Sequence, residues 1–215
     1  MAGKAVNTGQ EAAKRAVDIF GSLVGIIVFA PLLSVLWCVV RWTSAGPALY
    51  RQERLGRDKR PFILLKFRTM YVNNDDKIHR QYVTSLLSDA EEPVGGQHGL
   101  YKLENDPRVT KAGARMRRFS LDELPQLFNV LRGEMSLVGP RPVLAWEAEM
   151  FRQSDQRRFE VKPGITGLWQ VKGRSRLSYR EQLALDVEYV HRRSLAFDLA
   201  ILAGTVPALF RRGTV

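Results

Sequence analysis

The chain has a single cysteine, Cys38, and three histidines, His79, His98 and His191, in 215 residues. One cysteine closes no internal disulfide, so a disulfide scaffold is excluded and the sequence suits a reducing compartment. The histidines are scattered, without the spacing of metal ligands, and read as ordinary polar residues. Acid is scarce relative to base: 22 Asp and Glu stand against 33 Lys and Arg, a net charge of +11, with a pI near 10.1. That excess implies an anionic partner, and nucleic acid, anionic lipid and nucleotide-sugar all qualify. No nucleic-acid reader motif is present, which makes nucleic acid the weakest of the three. The length allows one domain with a real core and is short for two. Composition leaves the oligomeric state open, and a homo-oligomer is compatible with it.

What the chain has in quantity is an apolar run at 19–42, broken only by Ser22, Ser34 and Arg41. At about 1.5 Å per residue it could reach across a bilayer. Pro31, near its middle, removes a helical hydrogen bond and makes Ala30-Pro31 the expected kink. Lys14 and Arg15 precede the run, while Arg41, Arg51, Arg54, Arg57, Lys59 and Arg60 lie at its far end or beyond. A spanning helix shows charge asymmetry, so basic residues at both ends favour a bent hairpin that enters and leaves by the cytoplasmic face. A secretory signal peptide is the competing reading, but its apolar region is usually only about 7–15 residues long.

The other organising stretch is 115–142, centred on the acid pair Asp122-Glu123. Arg115, Arg117 and Arg118 stand upstream, and Arg141 lies in a stiff Gly139-Pro140-Arg141-Pro142 turn. Guanidinium groups on both sides of two carboxylates suit phosphoryl chemistry on an anionic substrate. A plainer reading is also available, since Ser120-Leu121-Asp122-Glu123 fits a capping box ahead of Leu124, Leu127, Phe128 and Leu131. The two are compatible, because a helix N-terminus keeps a carboxylate ionised and aimed.

Between these stretches, 48–56 and 61–70 read as two short strands joined by a charged turn, with Lys66 and Arg68 on one face by period two. Residues 74–87 read as a polar helix and 88–105 as a mobile loop. Lys111, Arg115 and Arg118 form a basic helical stripe. Further on, 143–158 reads as an amphipathic helix, 162–167 as a turn-rich loop, and 169–174 as a short strand and turn. Ser178-Tyr-Arg-Glu181 is a capping box opening a helix to about Arg193. The apolar stretch 195–210 is interrupted by Asp198, Gly204 and Pro207, which favours a helix lying in the membrane plane.

Five blocks, in order, carry a family resemblance: Lys66-Phe-Arg-Thr-Met70, Asp106-Pro-Arg-Val-Thr110, Ser120-Leu-Asp-Glu-Leu-Pro-Gln126, Gly139-Pro-Arg-Pro142, and Lys162-Pro-Gly-Ile-Thr-Gly167 with Gln170-Val-Lys-Gly-Arg174. Together they resemble the bacterial sugar transferase family, the monotopic polyprenol-phosphate phosphoglycosyl transferases, from about Lys14 to about Phe210. The resemblance implies transfer of a sugar 1-phosphate from a UDP-sugar to a polyprenol phosphate, undecaprenyl phosphate being the expected acceptor, with release of UMP. It further implies an aspartyl phosphosugar on Asp122, with Glu123 as the other catalytic acid. Mg²⁺ is the expected cofactor, held by Asp122 and Glu123. Arg117, Arg141, Arg68, Lys66 and Arg174 are the expected substrate-binding residues.

The expected fold is α+β and mainly helical, a single membrane-associated domain over 1–215 with short strands and amphipathic surface helices. It divides into an N-terminal tail (1–13), a re-entrant membrane helix hairpin (14–42) and a catalytic part (43–215) ending in the in-plane helix 195–210. The catalytic part is expected to face the cytoplasm at a bacterial inner membrane, as the first membrane step of a polysaccharide or glycoconjugate pathway. The rival reading is a non-catalytic basic adaptor on the membrane surface.

Overall fold

The computed structural model describes residues 8–72, 80, 81, 83, 84, 106–173 and 177–210. The loop expected at 88–105 and most of the helix expected at 74–87 lie outside them. The fold is α+β, mostly helical, with two small two-stranded sheets.

Helix α1 runs from Thr8 to Thr43. It starts inside the stretch expected to be a tail, because Glu11 in its first turn pairs with Arg57 at 3.7 Å and Arg193 at 3.3 Å. At Pro31, where a kink is expected, the helix continues without interruption. The Ser34 hydroxyl donates to the Ala30 carbonyl at 3.0 Å, a back-bond that accompanies helix bending. Five consecutive residues, 27–31, are exposed. At about 3.6 residues per turn that is more than a full circle, so this part of α1 stands clear of the protein on every side.

Both flanks of that bare segment pack back on the same body. On the N-terminal side, Arg15 donates to the Val130 and Leu131 carbonyls at 2.6 and 2.8 Å, and the Asp18 carboxylate accepts from Ser136 and from the Leu137 amide, both at 3.0 Å. Lys14 reaches Asp198 at 2.5 Å, and the Tyr189 hydroxyl donates to the same carboxylate at 2.8 Å. On the C-terminal side, Leu36 and Val40 pack with Ala48, Phe67 and Met116.

The expected hairpin is present as β1 (Leu49–Leu55) and β2 (Pro61–Phe67), antiparallel, with Leu49 opposite Phe67 and Leu55 opposite Pro61. Its turn uses left-handed backbone at Asp58 and Lys59. Helix α2 (Lys111–Arg118) then lies so close to the end of the hairpin that a Cβ on Gly113 would sit 2.1 Å from the Thr69 carbonyl. Its stripe of Lys111, Arg115 and Arg118 is exposed.

A 3₁₀ turn (Leu121–Glu123) leads into α3 (Gln126–Arg132) and the short strand β3 (Ser136–Val138). β3 pairs in parallel with β4 (Gly164–Thr166), so part of the segment expected to be a loop is a strand. The amphipathic helix expected over 143–158 is instead a short helix α4 (Ala145–Glu149) followed by a 3₁₀ run, Gln153–Glu160. Glu147 turns back to the Leu144 amide at 2.8 Å and is fully buried. The strand expected after residue 168 is a helix, α5 (Leu168–Lys172). Its apolar run was too short to reveal a period.

The capping box at Ser178 is realised. The Ser178 hydroxyl accepts from the Glu181 amide at 3.3 Å and the Glu181 carboxylate from the Ser178 amide at 2.7 Å, opening α6 (Tyr179–Arg192). Helix α7 (Leu195–Phe210) continues through Pro207. It buries Ile201 and Ala208 and exposes Leu199 and Val206. Exposed Ile19, Phe20, Leu23, Val24, Ile27 and Val28 give α1 a broad apolar surface. Helix α1 is long and apolar enough to cross a membrane, and its contiguous apolar exposure is surface that lipid would cover.

Candidate active site

The chain enters the acid pair through an unusual backbone. Ser120 has φ 55 and ψ 25, the left-handed region, and its side chain makes no capping bond. The capping box expected there is therefore absent, and α3 begins only at Gln126 after Pro125. A non-glycine residue held in this region costs on the order of 1–2 kcal/mol and persists where surrounding structure fixes it. Its effect is to turn Asp122 inward, where it is 8% exposed.

Three cations from three separate elements converge on the pair. Lys66, on β2, places Nζ 3.2 Å from Glu123 Oε1, and Arg141, in the turn between β3 and α4, places Nη1 3.4 Å from the same oxygen. Arg117, from the last turn of α2, donates through Nε to the Thr69 hydroxyl at 2.9 Å. Burial lowers the Arg117 pKa, and the charge of Asp122 opposes that shift. Burial likewise holds the Lys66 ammonium below the usual lysine range, with Glu123 opposing and Arg141 adding to the depression. Upstream, Asp106 is chelated by Arg108 at 2.8–3.2 Å. That side-chain bond holds its carboxyl below the usual range.

Asp122, Glu123, Lys66, Arg117 and Arg141 are thus brought together as expected. Arg68 is not with them: it lies one residue past β2, and its Nη2 donates to the Ser44 carbonyl at 2.8 Å and hydroxyl at 2.9 Å. The shared face expected of Lys66 and Arg68 fails because the strand ends at Phe67. Burial lowers the Arg68 pKa, with Arg41 as a second cause. Arg174 lies outside the described residues.

Among the described residues no group of three or more acidic, histidine or cysteine side chains forms a metal cage. Two adjacent carboxylates fit Mg²⁺, which takes hard oxygen ligands, retains waters and commonly completes its shell with substrate phosphate oxygens.

The turn carrying Arg141 is held by residues that sequence reasoning overlooked. Arg158, Asp186, Arg54 and Glu147 are all buried around it. One signal was available for Asp186: it occupies the same stripe of α6 as buried Tyr179, Leu183, Tyr189 and Val190, an acid where an apolar residue belongs.

An acid pair beside Lys and Arg, on a body strapped to an apolar helix, has the chemistry to take an anionic, phosphate-bearing ligand near a membrane. The chain belongs to the bacterial sugar transferase family, whose model matches residues 9–212. It is 41% identical over 197 residues to the exopolysaccharide production protein ExoY of Rhizobium meliloti, covering 92% of this chain and 85% of that protein. It is also 41% identical over 199 residues to the undecaprenyl-phosphate galactose phosphotransferase of Salmonella typhimurium, covering 93% of this chain and 40% of that one. With the UDP-glucose:undecaprenyl-phosphate glucose-1-phosphate transferase of Escherichia coli it shares 38% identity over 201 residues, 90% of this chain and 39% of the relative. The chain thus spans most of ExoY and about two-fifths of the two longer relatives.

Proposed function

We propose that this chain transfers a sugar 1-phosphate from a UDP-sugar to a polyprenol phosphate and releases UMP, in polysaccharide or glycoconjugate synthesis. The observation that carries the reading is the convergence of Lys66, Arg117 and Arg141 on Asp122-Glu123. A UDP-sugar brings two phosphates, and this cluster offers matching cations.

Asp122 is the nucleophile. One of its carboxylate oxygens attacks the phosphorus bearing the sugar, and the bond from that phosphorus to the bridging oxygen breaks. UMP leaves with that oxygen and the bond's electron pair. An oxygen of the polyprenol phosphate then attacks the same phosphorus, forming the lipid diphosphate and returning the Asp122 carboxylate. Arg141 grips phosphate oxygens through its planar fork. Lys66 holds Glu123 in place from the opposite strand. Mg²⁺, when held by Asp122 and Glu123, would neutralise charge on the diphosphate.

The membrane arrangement in this reading is re-entrant. Support comes from α1 itself: its N-terminal half is bonded to α3, β3 and α7, its C-terminal end packs on the hairpin, and only 27–31 stand clear. Were α1 straight, 36 residues would extend about 54 Å and carry the two ends to opposite faces of a bilayer. Anchoring both ends to one body favours entry and exit on the cytoplasmic face, with Pro31 at the deepest point and α7 in the membrane plane. In this reading the catalytic part faces the cytoplasm at a bacterial inner membrane.

The test is detergent-solubilised protein incubated with Mg²⁺ and UDP-galactose or UDP-glucose. UMP should appear in stoichiometric amount before any polyprenol phosphate is added, and turnover should follow its addition. A basic membrane adaptor would release none under either condition.

A further inference from the structure

The backbone of the Arg141 turn is claimed at four carbonyls in succession. Pro140 accepts from the Gly164 amide at 2.8 Å, Arg141 from Arg158 Nη2 at 2.5 Å, Pro142 from Arg54 Nη1 at 3.4 Å, and Val143 from the Leu55 amide at 2.9 Å. The outer two bonds are ordinary backbone pairing. The inner two come from buried guanidinium groups, each backed by its own buried acid. Arg158 pairs with Asp186 at 2.8 Å, both side chains being 3% exposed, and Arg54 with Glu147 at 3.6 Å, at 8% and 0%.

Burying two such pairs is expensive, and apolar residues of similar volume generally hold a fold at least as well. A structural role alone does not explain two such pairs bonded to adjacent carbonyls of one turn. Arg158 also lies beside a pair of rings, with its guanidinium carbon 5.2 Å from the Phe151 centroid and 5.8 Å from that of Phe159. Its Nη2 bridges the Asp186 carboxylate and the Arg141 carbonyl.

We infer that Arg158 backed by Asp186, with Arg54 backed by Glu147 on the other side, are positioning residues that fix the Arg141 backbone so that its guanidinium meets the substrate diphosphate beside Glu123. The inference rests on the reading of Arg141 as a phosphate grip. None of the four need touch substrate; they act through the turn. A displacement of about 1 Å at a catalytic group can cost on the order of 10² in rate, which is the scale of effect a loosened turn would produce.

The experiment is a double-mutant cycle on UDP-sugar turnover with undecaprenyl phosphate as acceptor, with thermal melts beside it. Asp186→Asn and Arg158→Lys are each made in the native background and with Arg141→Ala. The double replacement Arg158→Met with Asp186→Leu removes the charges while keeping volume, and so supplies a folded variant if the single ones melt early. In the native background these changes should lower kcat/KM about tenfold or more, while the charge-free pair keeps its melting temperature. With Arg141→Ala already present, they should lower it no further. An equal loss in both backgrounds would make the pair merely structural and overturn the inference. Native turnover in all of them, with Arg141→Ala impaired, would overturn the inference and leave the Arg141 reading standing. If Arg141→Ala itself turned over normally, the grip would be wrong and the positioning role would fall with it.

Discussion

Lys66 and Glu123, 57 positions apart in sequence, form an ion pair at 3.2 Å in which the two side chains are only 17% and 18% exposed. The lysine stands on a strand and the acid on a 3₁₀ turn, so the pair ties the hairpin to the catalytic segment.

Lys66 gives a prediction in which stability and activity move in opposite directions. Its folded-state pKa is lowered by burial below the unfolded value. Below the folded-state pKa the ammonium's desolvation penalty is present in full. The penalty is relieved as pH rises between the folded and unfolded pKa values, so stability should increase across that window. Lys66→Met should hold or raise the melting temperature at pH 7 and flatten that alkaline rise, while kcat/KM falls on the order of 10²-fold. In the native protein the alkaline limb of the rate profile should lie below the ordinary lysine range and should shift upward in Lys66→Arg. A limb unmoved by that substitution would detach Lys66 from the reaction.

The arrangement of α1 is open to chemical labelling. With Cys38 replaced by alanine, single cysteines at Gln10 and Glu53 both lie at exposed positions. An impermeant maleimide should reach both from the cytoplasmic face and neither from outside. Modification of the two from opposite faces would mean an ordinary spanning helix. Arg54 is a poor labelling position despite its basic neighbourhood, because it is 7% exposed and engaged with Pro142.

Close contact between β3 and β4 sets a third expectation. A Cβ on Gly164 would lie 2.1 Å from the Gly139 amide nitrogen, and one on Gly139 2.4 Å from the Lys162 carbonyl. Backbone cannot yield to a methyl group as a flexible side chain can. Gly164→Ala should cost about 2 kcal/mol or more. In a chain this size that lowers the melting temperature by about 4–8 °C. Turnover should fall as well, since Gly164 also donates to the turn that holds Arg141. Unchanged melting and turnover would show that the strands can separate freely.

How far the sequence foretold this site depends on the range of the interaction. The β1–β2 hairpin was readable because period two and a charged turn are local, and the Ser178 box because its partners are three residues apart. Gathering Lys66, Arg117 and Arg141 with the acids was readable only through the combination of blocks, since no local rule brings them together. The acid pair's own backbone was misread. Ser120 fits a capping pattern, yet its left-handed conformation cannot be told from a Ser-x-x-Glu spacing. Arg54–Glu147 and Arg158–Asp186 were opaque for a related reason: their members lie 93 and 28 residues apart, and each alone resembles a solvated charge.

The identity of the nucleophile is the remaining prediction. Of the two acids, Glu123 is held by Lys66 and Arg141 through one oxygen. Asp122 is buried beyond the left-handed Ser120 and lies within electrostatic reach of Arg117. A covalent route requires ping-pong kinetics and a protein-bound phosphosugar trapped before acceptor is supplied. Asp122→Asn preserves size and should leave a cooperative melt, while turnover drops at least about 10⁴-fold and the labelled adduct disappears. Glu123→Gln should instead lower turnover while still allowing some adduct to form, because it loses an ion-pair partner rather than the attacking group. The assignment would fail if the Asp122→Asn protein still accumulated labelled phosphosugar, or if the native enzyme required acceptor before releasing any UMP.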